Sequence, residues 1–171
     1  GAVLTAEDTA SMARVARDRG IPVHLDGARI CNASVYLGVP AAELTRDADS
    51  VAFCLSKGLS APIGSLLCGT QEFVRSARKW RKMLGGGMRQ VGIVAAAGIV
   101  ALETMVERLA EDHETALRLA RGLASVPGVV ADPARVQTNI VMMEWTGGPA
   151  PDFMRRLEER GVRSSYVDGP R

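Results

Sequence analysis

Two residues of this chain could do covalent chemistry together. Lys57 follows directly behind an apolar run, "VAFCLSKGLS" at 51 to 60, and Asp26 closes another, "IPVHLD" at 21 to 26. Lysines usually sit on solvated faces, so one at the mouth of a buried-looking strand asks for a reason. In open α/β sheets, ligands bind outside the carboxyl ends of the strands. An acid and an amine delivered to that edge could face one ligand. Pyridoxal phosphate chemistry uses such a pair, with a lysine amine for the aldehyde and an aspartate opposite the pyridine nitrogen. Spacing alone favours a plainer reading, in which Asp26 caps a turn and Lys57 is a surface lysine.

The elements that must position the pair are legible in outline. Thr5 to Arg19 reads as a helix with Thr5 as N-cap and Glu7 and Asp8 in its first turn, stopped by "GIP". A short helix is expected from Pro40 to Arg46, then the strand "VAFCL" and a third apolar run, "SLLCG". Residues 71 to 84 read as an amphipathic helix ended by "GGG", and a single long helix is expected from about Arg89 to Ser125. Beyond Pro127-Gly128, "NIVMMEW" reads as a strand, Asp152 to Arg160 as a helix and "VRSSYV" as another strand, like the start of a smaller α/β unit.

Composition narrows the classes. The 171 residues are 47% apolar and 23% charged, ordinary for a globular protein with one sizeable core. A net charge of +2 argues against a general binder of nucleic acid or membrane surfaces. The three cysteines, Cys31, Cys54 and Cys68, lack metal-ligand spacing and are expected as reduced thiols in a cytoplasmic protein. No metal site is expected. The longest apolar stretch, "VGIVAAAGIVAL", is too short to span a bilayer, and no signal peptide is visible. Opening on Gly1 and stopping within an apparent strand, the chain reads as cut at both ends.

Three longer motifs change the weighing. "HLDGARICNA", "CLSKGLSAPIGSLLCG" and "RKWRKMLGGGMRQVGIVAAAGIVAL" occur in order, and together they closely resemble the low-specificity L-threonine aldolases. These belong to the aspartate-aminotransferase-like (fold type I) pyridoxal-phosphate enzymes. The resemblance implies an α/β fold: residues 1–125 as part of the large cofactor-binding domain with its connecting helix, and 126–171 as the beginning of a small carboxyl-terminal domain. It implies a lyase that cleaves L-threonine or L-allo-threonine to glycine and acetaldehyde, with pyridoxal 5′-phosphate as cofactor. Lys57 matches the lysine that holds the cofactor, Asp26 the partner of its pyridine nitrogen, and Arg29 an arginine near the substrate carboxylate and the cofactor. Lys82 and Arg89 match residues that reach the cofactor phosphate of a neighbouring subunit, which implies a homo-oligomer, dimer or tetramer, with shared active sites. Family members are longer, and the amino-terminal part expected to hold the catalytic base is absent here. Another pyridoxal-phosphate reaction, β-elimination or transamination, and a catalytically incomplete fragment are the competing expectations.

Other features carry less. Arg75, Arg78, Lys79, Arg81, Lys82 and Arg89 form a basic cluster, usually a solvated face, and only Trp80 interleaves it as a nucleic-acid surface would require. "GGGMRQ" lacks dinucleotide-loop spacing. His24 reads as a hydrogen-bonded core histidine, His113 as packed at a helix boundary, and Cys31 and Cys54 as small buried side chains. Ser56 could bind the cofactor phosphate or cap the turn.

Overall fold

Thr5 starts the first helix, α1 (Ala6–Arg17), by a reciprocal cap: its hydroxyl accepts from the Asp8 N–H at 3.1 Å, and the Asp8 carboxylate accepts from the Thr5 N–H at 2.8 Å. In this computed structural model, which describes residues 2–165, α1 buries Thr9 and Ala13. Arg17 then pairs with Asp47 at 3.0 Å, tying the end of α1 to the approach of the second strand.

Strand β1 (His24–Asp26) pairs parallel with β2 (Ser50–Cys54), and β2 pairs antiparallel with β3 (Ser65–Gly69). The register sets Asp26 opposite Ala52. Between β1 and β2 run α2 (Ile30–Leu37) and α3 (Ala41–Leu44). The sequence reading has no helix at α2. Gly38 supplies the stop signal there, with φ +67° and its N–H donating to the Ser34 carbonyl.

Helix α4 (Gln71–Met83) is capped by Thr70, whose hydroxyl accepts from the Phe73 N–H. The single long helix expected from 89 to 125 is two helices, α5 (Gly92–Thr104) and α6 (Leu109–Ala124). Thr104 hydroxyl donates back to the Val100 carbonyl at 2.7 Å, and Arg108 pairs with Glu111 at 3.1 Å in the first turn of α6. Met105 and Val106, in the break, and Leu109, at the start of α6, pack on one core with Leu55, Leu59, Ala61 and Ala101.

The remaining elements are β4 (Val129–Ala131), a 3-10 turn at Pro133–Arg135, β5 (Met143–Trp145) and α7 (Ala150–Glu158). β4 and β5 form a separate antiparallel pair, and Trp145 stacks on Phe153 of α7 with centroids 4.4 Å apart. Only the last three residues of "NIVMMEW" are strand. The strand expected at "VRSSYV" is absent over 162–165, and Tyr166 and Val167 lie outside the described residues. No helix among the described residues is long and apolar enough to cross a membrane.

Candidate active site

Parallel pairing of β1 and β2 brings their carboxyl ends to one edge, so the two residues singled out in the sequence meet there. Asp26 is the last residue of β1, and Lys57 stands three positions beyond β2. Both line a cavity of about 400 Å³, together with Arg29. All three are exposed. Among the described residues, neither the Lys57 ammonium nor the Arg29 guanidinium has a hydrogen bond or ion pair. Asp26 Oδ1 accepts from the Ala28 N–H at 3.1 Å, which leaves Oδ2 available.

Local backbone geometry holds these groups. Gly27 donates to the Ala52 carbonyl at 2.8 Å and accepts from the Ile30 N–H at 2.8 Å. A Cβ on Gly27 would stand 3.3 Å from Ala52 O, Ile30 Cβ and Val51 Cγ1, so any larger residue would force those neighbours to give by a few tenths of an ångström. Arg29 follows as the N-cap residue of α2.

Lys57 lies in a loop whose apolar residues face inward: Leu55 and Leu59 are 6% and 3% exposed. The Leu55 N–H donates to Gly64, the Ala61 N–H to Leu55, and the Ser60 N–H to the Lys57 carbonyl at 2.9 Å. Ser60 adopts φ +62°, the only non-glycine with positive φ among the described residues. Burying the leucines on either side turns Lys57 outward, toward the cavity.

Lys82 and Arg89 do not join this group within one chain. Lys82 is in the last turn of α4 and Arg89 in the segment before α5, and both are exposed and outside the cavity wall. His24 bonds Ser50 Oγ through Nδ1 at 2.8 Å, as expected of a bonded histidine, but it is exposed rather than in the core. The side chain of a three-residue strand with one neighbour cannot be covered by the sheet alone. His113 is half-buried at the α2–α6 contact, as expected. Cys31 and Cys54 are half-buried, and burial pushes the Cys31 thiol up.

Sequence reasoning missed two parts of the cavity wall. Asn32 is 3% exposed and lines the cavity, one helical turn beyond Arg29. Its i+3 relation to Arg29 on an expected helix could have found it, had α2 been recognised. Thr138 and Ile140 close another side, and no local signal in a non-repetitive segment announces that. Among the described residues no group of three or more His, Cys, Asp or Glu side chains could hold a metal ion.

Comparison with known proteins places the chain in a family. The profile of the family described as "Beta-eliminating lyase" matches residues 1–146. The chain is 44% identical over 165 residues to low-specificity L-threonine aldolase 1 of Arabidopsis thaliana, covering 95% of this chain and 46% of that protein. It is 46% identical over 143 residues to the low specificity L-threonine aldolase of Escherichia coli K12, covering 84% of this chain and 42% of the relative. The chain therefore spans less than half the length of these curated relatives. Among solved structures, a protein of Exiguobacterium sp. 255-15, provisionally assigned as an aromatic amino acid beta-eliminating lyase/threonine aldolase, superposes with a TM-score of 0.83 at 29% identity, over 93% of this chain and 45% of that one. A PLP-dependent aminotransferase from Streptococcus suis shares the fold, with a TM-score of 0.66 at 19% identity over 95% of this chain and 44% of its own. The mixed α/β fold is that of fold type I pyridoxal-phosphate enzymes over part of their length, and the chain belongs to the beta-eliminating lyase family.

Proposed function

We propose that the protein carrying this chain is a pyridoxal-phosphate-dependent aldehyde-lyase that cleaves the Cα–Cβ bond of L-threonine or L-allo-threonine to glycine and acetaldehyde. The observation that carries the reading is the convergence of Asp26, Arg29 and Lys57 on one cavity, in a chain 44% identical to a low-specificity L-threonine aldolase.

The residues present fit the cofactor. A volume of about 400 Å³ falls within the range of about 300–1,000 Å³ usual for small-molecule sites. Lys57 offers an amine free of ion pairs, for the cofactor aldehyde. Asp26 keeps one carboxylate oxygen free, so it can hold a proton on the pyridine nitrogen. Arg29 has a fork suited to two parallel bonds with a carboxylate. Pyridoxal phosphate, when bound, supplies the sink for electrons released at Cα. Asp26 sustains that sink by holding the ring proton, while Arg29 orients the amino acid.

Lys82 and Arg89 act on the phosphate of a neighbouring subunit in this reading. Leu84 and Met88 lie between them in sequence and Ile93 just beyond, 84%, 58% and 83% exposed. Exposed apolar side chains near such cations suit an interface whose far side carries an anion. The assembly is then a homo-oligomer with shared sites, and residues 1–125 and 126–171 are parts of its large and small domains. The separate sheets β1-β2-β3 and β4-β5 support that division.

The test is the absorbance of the full-length protein with pyridoxal phosphate, before and after borohydride, followed by peptide mapping and by threonine cleavage in Lys57→Ala. A visible band, reduced label on Lys57 and loss of cleavage in the variant are expected. Cleavage that survives Lys57→Ala overturns the assignment. Product analysis with threonine, serine and aromatic amino acids separates retro-aldol cleavage from β-elimination, the reading that the family description would favour.

A further inference from the structure

Asn32 and His113 lie 81 residues apart in sequence, yet Asn32 Nδ2 stands 3.1 Å from His113 Nε2. The amide nitrogen can only donate, so the ring nitrogen accepts and His113 is neutral with its proton on Nδ1. Desolvation pulls the His113 pKa below its ordinary value, partly opposed by the Asp112 carboxylate, which fits a neutral ring. Tyr36 meets the imidazole edge-on, with centroids 6.5 Å apart.

The other face of the Asn32 amide looks toward the lysine loop. A Cβ on Gly58 would stand 3.3 Å from Asn32 Oδ1 and 3.6 Å from Nδ2. So the backbone immediately after Lys57 rests against an amide that α6 holds from behind. Asn32 is also one helical turn from Arg29, and it lines the cavity shared by Arg29 and Lys57. Three separate segments, α2, the Lys57–Ser60 turn and α6, meet at this one side chain.

Building on the cofactor reading above, we propose that Asn32, held by His113, is a positioning residue that sets the Lys57 turn against α2 and so fixes Lys57 relative to Arg29. Without the bond the amide is free to rotate, and the turn loses the surface it packs on. The amide touches neither the Lys57 amine nor any reacting atom in this role. Packing by Leu109 from the same helix keeps the turn folded even when the amide is loose, so the two contributions separate by substitution.

His113→Leu removes the acceptor at a half-buried position. His113→Gln keeps it, because Gln Oε1 can take the place of Nε2. Two measurements on the full-length protein distinguish them. One is hydrogen exchange of the Ser60 amide, which donates to the Lys57 carbonyl. The other is the distribution of borohydride-trapped pyridoxal phosphate among Lys57, Lys79 and Lys82. His113→Leu is expected to speed Ser60 exchange about five- to tenfold, the scale of one lost internal hydrogen bond, and to lower the share of label on Lys57. His113→Gln is expected to restore both. Unchanged Ser60 exchange in His113→Leu overturns the positioning role, as does equal acceleration throughout α2 and α6, which marks general destabilisation. Even labelling of the three lysines in the unsubstituted protein overturns the cofactor reading instead, and the exchange comparison detects that case separately.

Discussion

Gly58 offers the sharpest test of how the Lys57 turn is held. Its φ lies outside the left-handed region, so an alanine there meets no backbone strain and the effect is one of space alone. The added Cβ would stand 2.7 Å from Leu109 Cδ2. Leu109 is 1% exposed and wedged among Leu55, Leu59, Ala61 and Ala101, so its branch cannot swing away without disturbing them. Overpacking a filled core by one methyl costs about 1–3 kcal/mol. Replacing glycine returns about 0.4–1 kcal/mol by restricting the unfolded chain. Gly58→Ala should therefore lose roughly 0–2.6 kcal/mol of stability net, with a midpoint of about 1.3 kcal/mol. Leu109→Ala alone should lose about 2–5 kcal/mol, as buried leucines do. In the double variant the alanine methyl enters the space that Leu109 vacates. The pair should then cost less than the sum of the singles by about 1–2 kcal/mol, well outside the roughly 0.3–0.5 kcal/mol scatter of independent sites. Urea or guanidinium unfolding of the four proteins closes the cycle. Additive losses would refute the idea that Leu109 sets how closely the Lys57 turn approaches α6.

Further outcomes follow from particular residues. Ser60 pays for its φ of +62° in a position that favours glycine, so Ser60→Gly should unfold at the same or a higher temperature and Ser60→Val at a lower one, read by calorimetry. Because the folded-state pKa of His113 is depressed by desolvation, the unfolded chain binds its proton first as pH falls. Stability from the neutral ring should be complete above about 6.5 and decline below it; His113→Gln should flatten that part of a melting-temperature profile, and an unchanged profile would count against a neutral ring. Asp26→Asn should leave thermal stability nearly unchanged, since an amide oxygen can still accept from the Ala28 N–H, while sharply reducing turnover of threonine. With a thiol-disulfide reagent, exposed Cys68 should react before Cys31, whose thiol burial holds protonated.

Local chemistry made much of this molecule readable in one dimension. The Thr5 cap, the start of α4 and the ends of β1 and β2 depend on residues a few positions apart, and all stand close to where pattern and spacing predict. Asp26 and Lys57 were visible because each follows an apolar run that reads as a strand, leaving a polar side chain at the exit. Helix α2 was less legible. Its eight residues are short for a periodic signal, and Arg29, the residue at its N-cap, makes no side-chain capping bond that would announce a start.

What lay beyond the sequence was decided by contacts between distant segments. The break at residues 105–108 lies where Met105, Val106 and Leu109 pack on a core that the distant Lys57 loop helps to supply, and no local stop signal marks it in the sequence. Exposure of His24 reflects how few neighbours β1 has, which its own alternation does not encode. The cavity wall at Thr138 and Ile140 depends on the path of a segment after α6. The Asn32–His113 bond joins elements 81 residues apart. Sequence therefore determined which residues could carry the chemistry, since side-chain type and helix or strand ends are local properties. Tertiary structure decided which of them meet and what holds them in place, because a cavity and its supports come from burial shared among segments that share no local pattern.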